Sequence, residues 1–316
     1  MNSTFIPKGF QISPLIAVSS CIWFTLVYVG LLYFSKKHRI CDENPGLTNS
    51  HPQVILHRIK ATTISCIISC SSVWAVIYYN NGFMNHESLY SQIITLLNLL
   101  GLYIPNDFYY LFNINFFPLG LTMILFIGPL FVEYLDETLP FQSRYNFANY
   151  NYAFTTLIGF RNYIFAPATE ELVFRSCMIS LLHYAKISYV KIIFLTPLVF
   201  AIAHIHHAWE NYILFGRSVG AAKRAIFISA FQFSYTTLFG WYATFIFMRT
   251  GNFFSPFITH SFANMMGFPM INFSIYPKKI QTLIVLALFL GILLFSILLF
   301  PMTSPELFGE TSLYWN

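Results

Sequence analysis

Charge is absent from long stretches of this chain. The run Leu15–Phe34 holds no charged residue and is followed at once by Lys36, Lys37, His38 and Arg39. Charge-free runs also cover Ala61–Tyr79, Phe108–Val132, Ala225–Met248 and Ile280–Pro305. Each is near or above the roughly 20 residues that an α-helix needs to cross a bilayer, so these five runs predict spanning helices. Ser88–Asn106 is charge-free too, but its Asn, Gln and Pro suit an interfacial or re-entrant segment equally well, and 145–165 is similarly mixed. Shorter candidate spans are 169–185, 189–207 and 252–271. The predicted fold class is all-α, a polytopic transmembrane bundle of about seven or eight helices. The chain divides into N-terminal helices with a basic loop (1–150), a second transmembrane bundle (151–305) and a short C-terminal tail (306–316).

Composition agrees with this pattern. Hydrophobic residues make up 56% of the 316 and charged residues only 9%, against roughly 25% charged in a soluble domain. A secretory signal would carry its basic residues before a shorter apolar core, so Leu15–Phe34 reads as an uncleaved first helix. Lysine and arginine gather in 35–60 (Lys36, Lys37, Arg39, Arg58, Lys60), whereas 80–107 has none and carries Glu87 and Asp107. The positive-inside rule places 35–60 in the cytosol, and alternation puts 133–151 and 208–224 there as well. The net charge of +5 thus reflects topology, and no basic run with interleaved aromatics points to nucleic acid. Cys21, Cys41, Cys66, Cys70 and Cys177 are scattered without a CxxC pair. Cys177, two residues after Arg175, is a candidate nucleophile only if something lowers its thiol pKa, and an apolar helix offers nothing evident. Asn2-Ser3-Thr4 and Asn272-Phe273-Ser274 fit the glycosylation pattern, the second close to the membrane.

Against this background the segment Phe165–Ser176, FAPATEELVFRS, places three charges in six positions. One charged side chain at the centre of a spanning helix costs about 2.5–3.5 kcal/mol, so these groups need either an interface or partners. Arg175 follows Glu171 by four residues, the spacing of an ion pair on one helical face. Glu170 points about 100° away, with no cation at that spacing of its own. Burial beside a like charge is the usual preparation of a carboxylate for work as a general base. The alternative is a plain helix start, with Thr169 as N-cap and acids favoured in the first turn. Two further polar clusters stand in equally apolar surroundings: His204, followed by His206 and His207, and the pair His260 and Asn264, four apart on one face. Three helices that each bring an acid, an imidazole or a carboxamide suggest a polar site in a bundle core.

EELVFR fits EExxxR, Phe200–His204 fits FxxxH and His260–Asn264 fits HxxxN, in the order found in the CAAX protease and bacteriocin-processing family of intramembrane glutamate proteases. The chain resembles that family, and its eukaryotic branch in the endoplasmic reticulum in particular, over about 100 residues from Glu170 to Asn264. The resemblance implies an endopeptidase that removes the last three residues of prenylated CAAX proteins. It implies that Glu170 activates water, that His204 orients it, that Glu171 and Arg175 support the site, and that His260 and Asn264 form the oxyanion hole. It also implies farnesylated or geranylgeranylated substrates such as Ras-type GTPases, contact with membrane lipid, no cofactor or metal, and an active site facing the cytosol from the endoplasmic reticulum membrane. Three other classes stay open at this stage, one of them a non-enzymatic scaffold, which would not need the three polar clusters to converge. A zinc hydrolase would use Glu170, His204 and His260 as ligands, although HExxH is absent. A proton-coupled transporter would also bury Glu, His and Arg, although no inverted repeat is evident.

Overall fold

The structure is a computed structural model that describes residues 6–34, 51–83, 87–203, 206–269, 272–309 and 312–315. Its helices in chain order are α1 (Pro14–Phe34), α2 (Pro52–Tyr79), α3 (Leu89–Leu99), α4 (Phe108–Leu125), α5 (Ile127–Leu135), α6 (Phe147–Thr155) and α7 (Leu157–Phe160). A π-helical turn, Arg161–Phe165, leads into α8 (Ala166–Glu171), and a second one, Leu172–Cys177, leads into α9 (Met178–Tyr184). There follow α10 (Tyr189–Ala203), α11 (His206–Leu214), α12 (Val219–Thr250), α13 (Phe254–Met266) and α14 (Lys278–Leu298). No strand occurs among the described residues, so the fold class is the all-α one expected.

Helix starts follow local chemistry. Ser88, Asp107 and Ser218 accept hydrogen bonds from the first-turn amides of Ser91, Tyr109 and Ala221, relieving donors that a helix cannot satisfy internally. Gly251 ends α12 with φ 61°, a left-handed conformation that glycine adopts without penalty.

Five segments are long and apolar enough to cross a membrane among the described residues: Pro14–Leu32, Pro52–Tyr79, Phe108–Leu125, Tyr189–Leu214 and Lys278–Leu298. Four of them answer to the charge-free runs. The fifth answers to the shorter candidate 189–207, while Ala225–Met248 lies within the 32-residue α12. Lack of charge there is not the same as apolarity, because Gln232, Ser234, Thr236 and Thr237 interrupt the run. The run Phe108–Val132 is not one helix but two, parted at Phe126. Pro129 cannot donate to the Leu125 carbonyl and its ring crowds it, which accounts for the break. Helix α3, at 11 residues, is about 16 Å long and too short to span a hydrocarbon core of about 30 Å.

Packing groups the chain differently from a linear division. One compact unit takes Met1–Tyr103, Thr169–Phe253 and Leu313–Asn316; the other takes Ile104–Ala168 and Phe254–Ser312. In the first, α1, α2, the second π-turn with α9, and α10 share a core that includes Phe24, Tyr28, Val73, Phe174, Met178, Leu181 and Phe200. The C-terminal residues are part of this unit: the Tyr314 hydroxyl donates to the Leu99 carbonyl and pairs with Ser180 at 3.1 Å, while the Tyr314 ring stacks on Phe247. Trp315 lies under the Arg249 guanidinium, 4.7 Å from Cζ to ring centroid. In the second unit, α14 packs on α4 and α5 so closely that a Cβ on Gly291 would come within 2.8 Å of the Ile124 carbonyl oxygen, the approach that small residues permit between membrane helices. Helix α13 is tied to α4 by the Ser255 hydroxyl, which donates to the Ile114 carbonyl.

Candidate active site

The two glutamates occupy the last two positions of α8, between the two π-turns. Such turns are rare and concentrate at functional sites, because the wider winding breaks the regular ladder and re-aims side chains. Thr169 is the fourth residue of α8, not a cap. Its hydroxyl pairs with Tyr28 at 3.0 Å, and the Cys66 Sγ donates to its carbonyl at 3.9 Å. The reading of these acids as an ordinary helix start is thereby overturned.

Adjacent in sequence, the two carboxylates have different surroundings. Glu171 is completely buried and Arg175 is 1% exposed, with Nη1 3.2 Å from the Glu171 Oε1. The i,i+4 spacing therefore forms the expected pair, fully out of solvent. Glu170, about 100° round the helix, is half-buried. Arg175 is also held from α10: its Cζ stands 4.5 Å from the centroid of the Phe200 ring, a cation–π contact. Phe200 meets Phe174 edge to face at 5.0 Å, and Phe174 meets Tyr28 in the same way at 5.3 Å. An aromatic series thus runs from α1 to the buried arginine.

His204 lies outside the described residues, as does Cys41. In the second unit, His260 is 6% exposed and Asn264, one turn later on α13, is exposed. The Asn264 Nδ2 donates to the Asn162 carbonyl at 3.1 Å, within the first π-turn. A carboxamide nitrogen carries two N–H groups, so this bond orients the side chain and leaves one donor for another acceptor. Cys177 is buried, with its Sγ 3.9 Å from that of Cys70. Sequence reasoning missed the contribution of α1 through Tyr28 and of α12 through Gly240, where a Cβ would come within 3.3 Å of the Arg175 Nη2. Neither residue belongs to a motif.

Residues 152–266, which contain Glu170, Glu171, Arg175, Phe200, His260 and Asn264, match the family described as type II CAAX prenyl endopeptidase Rce1-like. The chain is 35% identical over 306 residues to the human protein called CAAX prenyl protease 2, covering 94% of this chain and 84% of that protein. It is 32% identical to the Arabidopsis thaliana protein of the same name, covering 96% and 94%. With that of Saccharomyces cerevisiae it shares 27% identity, over 80% and 84%. The chain belongs to the Rce1-like type II CAAX prenyl endopeptidases. It is a multi-pass membrane protease of that family, and nothing in these relationships supports the zinc-hydrolase or transporter readings. No solved structure matches it. The similarity to the human and Arabidopsis proteins spans the N-terminal helices as well as the motifs, in keeping with a core in which α1 and α2 pack around the glutamate-bearing helix.

Proposed function

We propose that the chain removes the C-terminal tripeptide from prenylated CAAX proteins with a water molecule activated by Glu170. The observation that carries this reading is the unequal burial of the two glutamates. Glu171 is fully buried and paired with Arg175, whereas Glu170 is half-buried beside it. One carboxylate is built into the packing and the other is left where a water and a scissile bond can reach it. Glu170 takes a proton from water, and the hydroxide attacks the carbonyl of the prenylated cysteine. His204 orients the water. His260 and Asn264 donate to the oxyanion as the carbonyl becomes tetrahedral, and Glu170 returns its proton to the leaving amine as the C–N bond breaks. The products are a protein ending in prenylcysteine and a free tripeptide. No metal or cofactor takes part.

The substrates are farnesylated or geranylgeranylated proteins of the Ras-type GTPase class, and the lipid around the site accommodates their isoprenoid. The protein resides in the endoplasmic reticulum membrane with Glu170 open to the cytosol. The ion pair between Arg58 on α2 and Glu210 on α11, 3.2 Å apart, supports a common side for these two segments, as charge bias demands.

The test is to incubate the purified, detergent-solubilised protein with a farnesylated C-terminal peptide. Release of the intact tripeptide is expected. A transporter or scaffold would release none, and release of single residues in sequence would mark an exopeptidase.

A further inference from the structure

Helix α12 carries none of the three motifs, and Phe200 has no proton to give or take, yet both close on Arg175. The Phe200 ring lies against the guanidinium at 4.5 Å. From α12, a Cβ on Gly240 would stand 3.3 Å from the Arg175 Nη2 and only 2.6 Å from the Pro197 Cβ. The second distance is shorter than carbon atoms tolerate, so glycine is what lets α12 lie against α10 at the arginine. Neither Nη1 nor Nη2 makes a hydrogen bond among the described residues, although Nη1 is within ion-pair distance of Glu171. Among the described residues the guanidinium is flanked by the Glu171 carboxylate, the Phe200 ring face and the bare backbone at Gly240.

A cation bonded through several N–H groups is fixed by those bonds. This one is fixed by packing, so the shape of its slot decides where it sits. Its position bears on that of the Glu171 carboxylate, 3.2 Å from Nη1, and Glu171 directly follows Glu170 on α8.

We propose that Phe200 and Gly240 are positioning residues that form a slot for Arg175 and thereby aim Glu170 at its water. This rests on Glu170 as the base and assigns to Phe200, the aromatic residue of the FxxxH segment, a task in the EExxxR segment. It also makes α12 a supporting element of the catalytic machinery. Phe200 is a positioning residue and not a catalytic one, because it acts through Arg175.

The experiment is a double-mutant cycle on the full-length protein, with cleavage of a farnesylated peptide and the melting temperature as parallel readouts. Phe200→Leu keeps an apolar side chain and removes the ring face; Phe200→Tyr keeps the ring. Phe200→Leu is expected to lower kcat about tenfold, within the range for a desolvated cation–π contact, with KM changed less than about twofold. Phe200→Tyr is expected to stay within about twofold of wild type in both. In an Arg175→Met background the further change Phe200→Leu is expected to have almost no effect, because the group it serves is gone. A role in core packing alone would carry the same penalty into that background and would fall on melting temperature without separating kcat from KM. Where Arg175→Met is too slow to assay, the melting temperatures of the four proteins give the coupling. Gly240→Ala, which forces α12 away from Pro197, is expected to lower kcat as Phe200→Leu does. Additivity of Phe200→Leu with Arg175→Met, or wild-type kcat in Phe200→Leu, overturns the proposal. An active Glu170→Gln protein would instead remove the base and leave the measured Phe200–Arg175 coupling in melting temperature intact, so the two failures are distinguishable.

Discussion

Replacing Arg175 by methionine keeps most of the apolar stem and deletes the charge. The Glu171 carboxylate, at 0% exposure, would then lose the cation that now stands 3.2 Å away. Breaking a buried pair from one side typically costs about 3–5 kcal/mol, because the surviving charge keeps its desolvation penalty and loses its compensation. Against a total stability of about 5–15 kcal/mol this is a large fraction. For a chain above 250 residues, each kcal/mol lowers the melting temperature by about 2 °C, so a drop of about 6–10 °C is expected. Glu171→Gln strands the opposite charge and should lower it similarly. The double variant Glu171→Gln/Arg175→Met buries no charge, and replacing a buried ion pair with neutral side chains is often close to neutral. It is therefore expected to melt well above either single variant. Tryptophan fluorescence in detergent at neutral pH is a suitable assay, since the chain contains five tryptophans. Arg175→Met melting within about 1 °C of wild type with unchanged turnover, or single effects that simply add in the double variant, would refute the buried pair.

Glu170→Gln keeps the shape of the side chain but cannot accept a proton, so turnover is expected to fall about 10²–10⁴-fold while melting temperature and peptide binding hold; activity above a tenth of wild type removes Glu170 from the base role. His260→Ala and Asn264→Ala are each expected to lower the rate about 10²–10³-fold, and the double variant less than the product of the two, as for two donors serving one developing charge; a fully multiplicative loss contradicts that shared role. Elemental analysis of active protein is expected to find no stoichiometric zinc, and prolonged chelation should leave the rate unchanged; activity lost on chelation and restored by zinc would make Glu170, His204 and His260 ligands. Single cysteines placed in 51–56 and in 212–222, in a cysteine-free background, are expected to react with an impermeant maleimide from the cytosolic side; labelling of either from the lumen alone reverses the topology.

Length and polarity along the chain determined the class of fold. Charge-free runs of spanning length answer to α1, α2, α4 and α14, because a bilayer selects helices by apolar length alone and no long-range contact enters that rule. The run Ala225–Met248 also lies within a single helix, the 32-residue α12, although Gln232, Ser234, Thr236 and Thr237 make it more polar than the other four. The Glu171–Arg175 pair was legible for a related reason: spacing along one helix fixes which side chains are neighbours. Beyond one helix, sequence reasoning lost its grip. It could not tell that Thr169 sits inside a helix flanked by π-turns, since such winding reflects the balance of surrounding packing and has no local signature. Nor could it find Tyr28, more than 140 residues before Thr169, or Gly240, a residue whose only contribution is the side chain it lacks. Sequence thus set the membrane class, the acids and the arginine that pairs with one of them. Tertiary packing alone decided that Glu171 is sealed away while Glu170 is only half covered, because burial is a property of what the other helices bring alongside, and α1, α2, α10 and α12 come from distant parts of the chain.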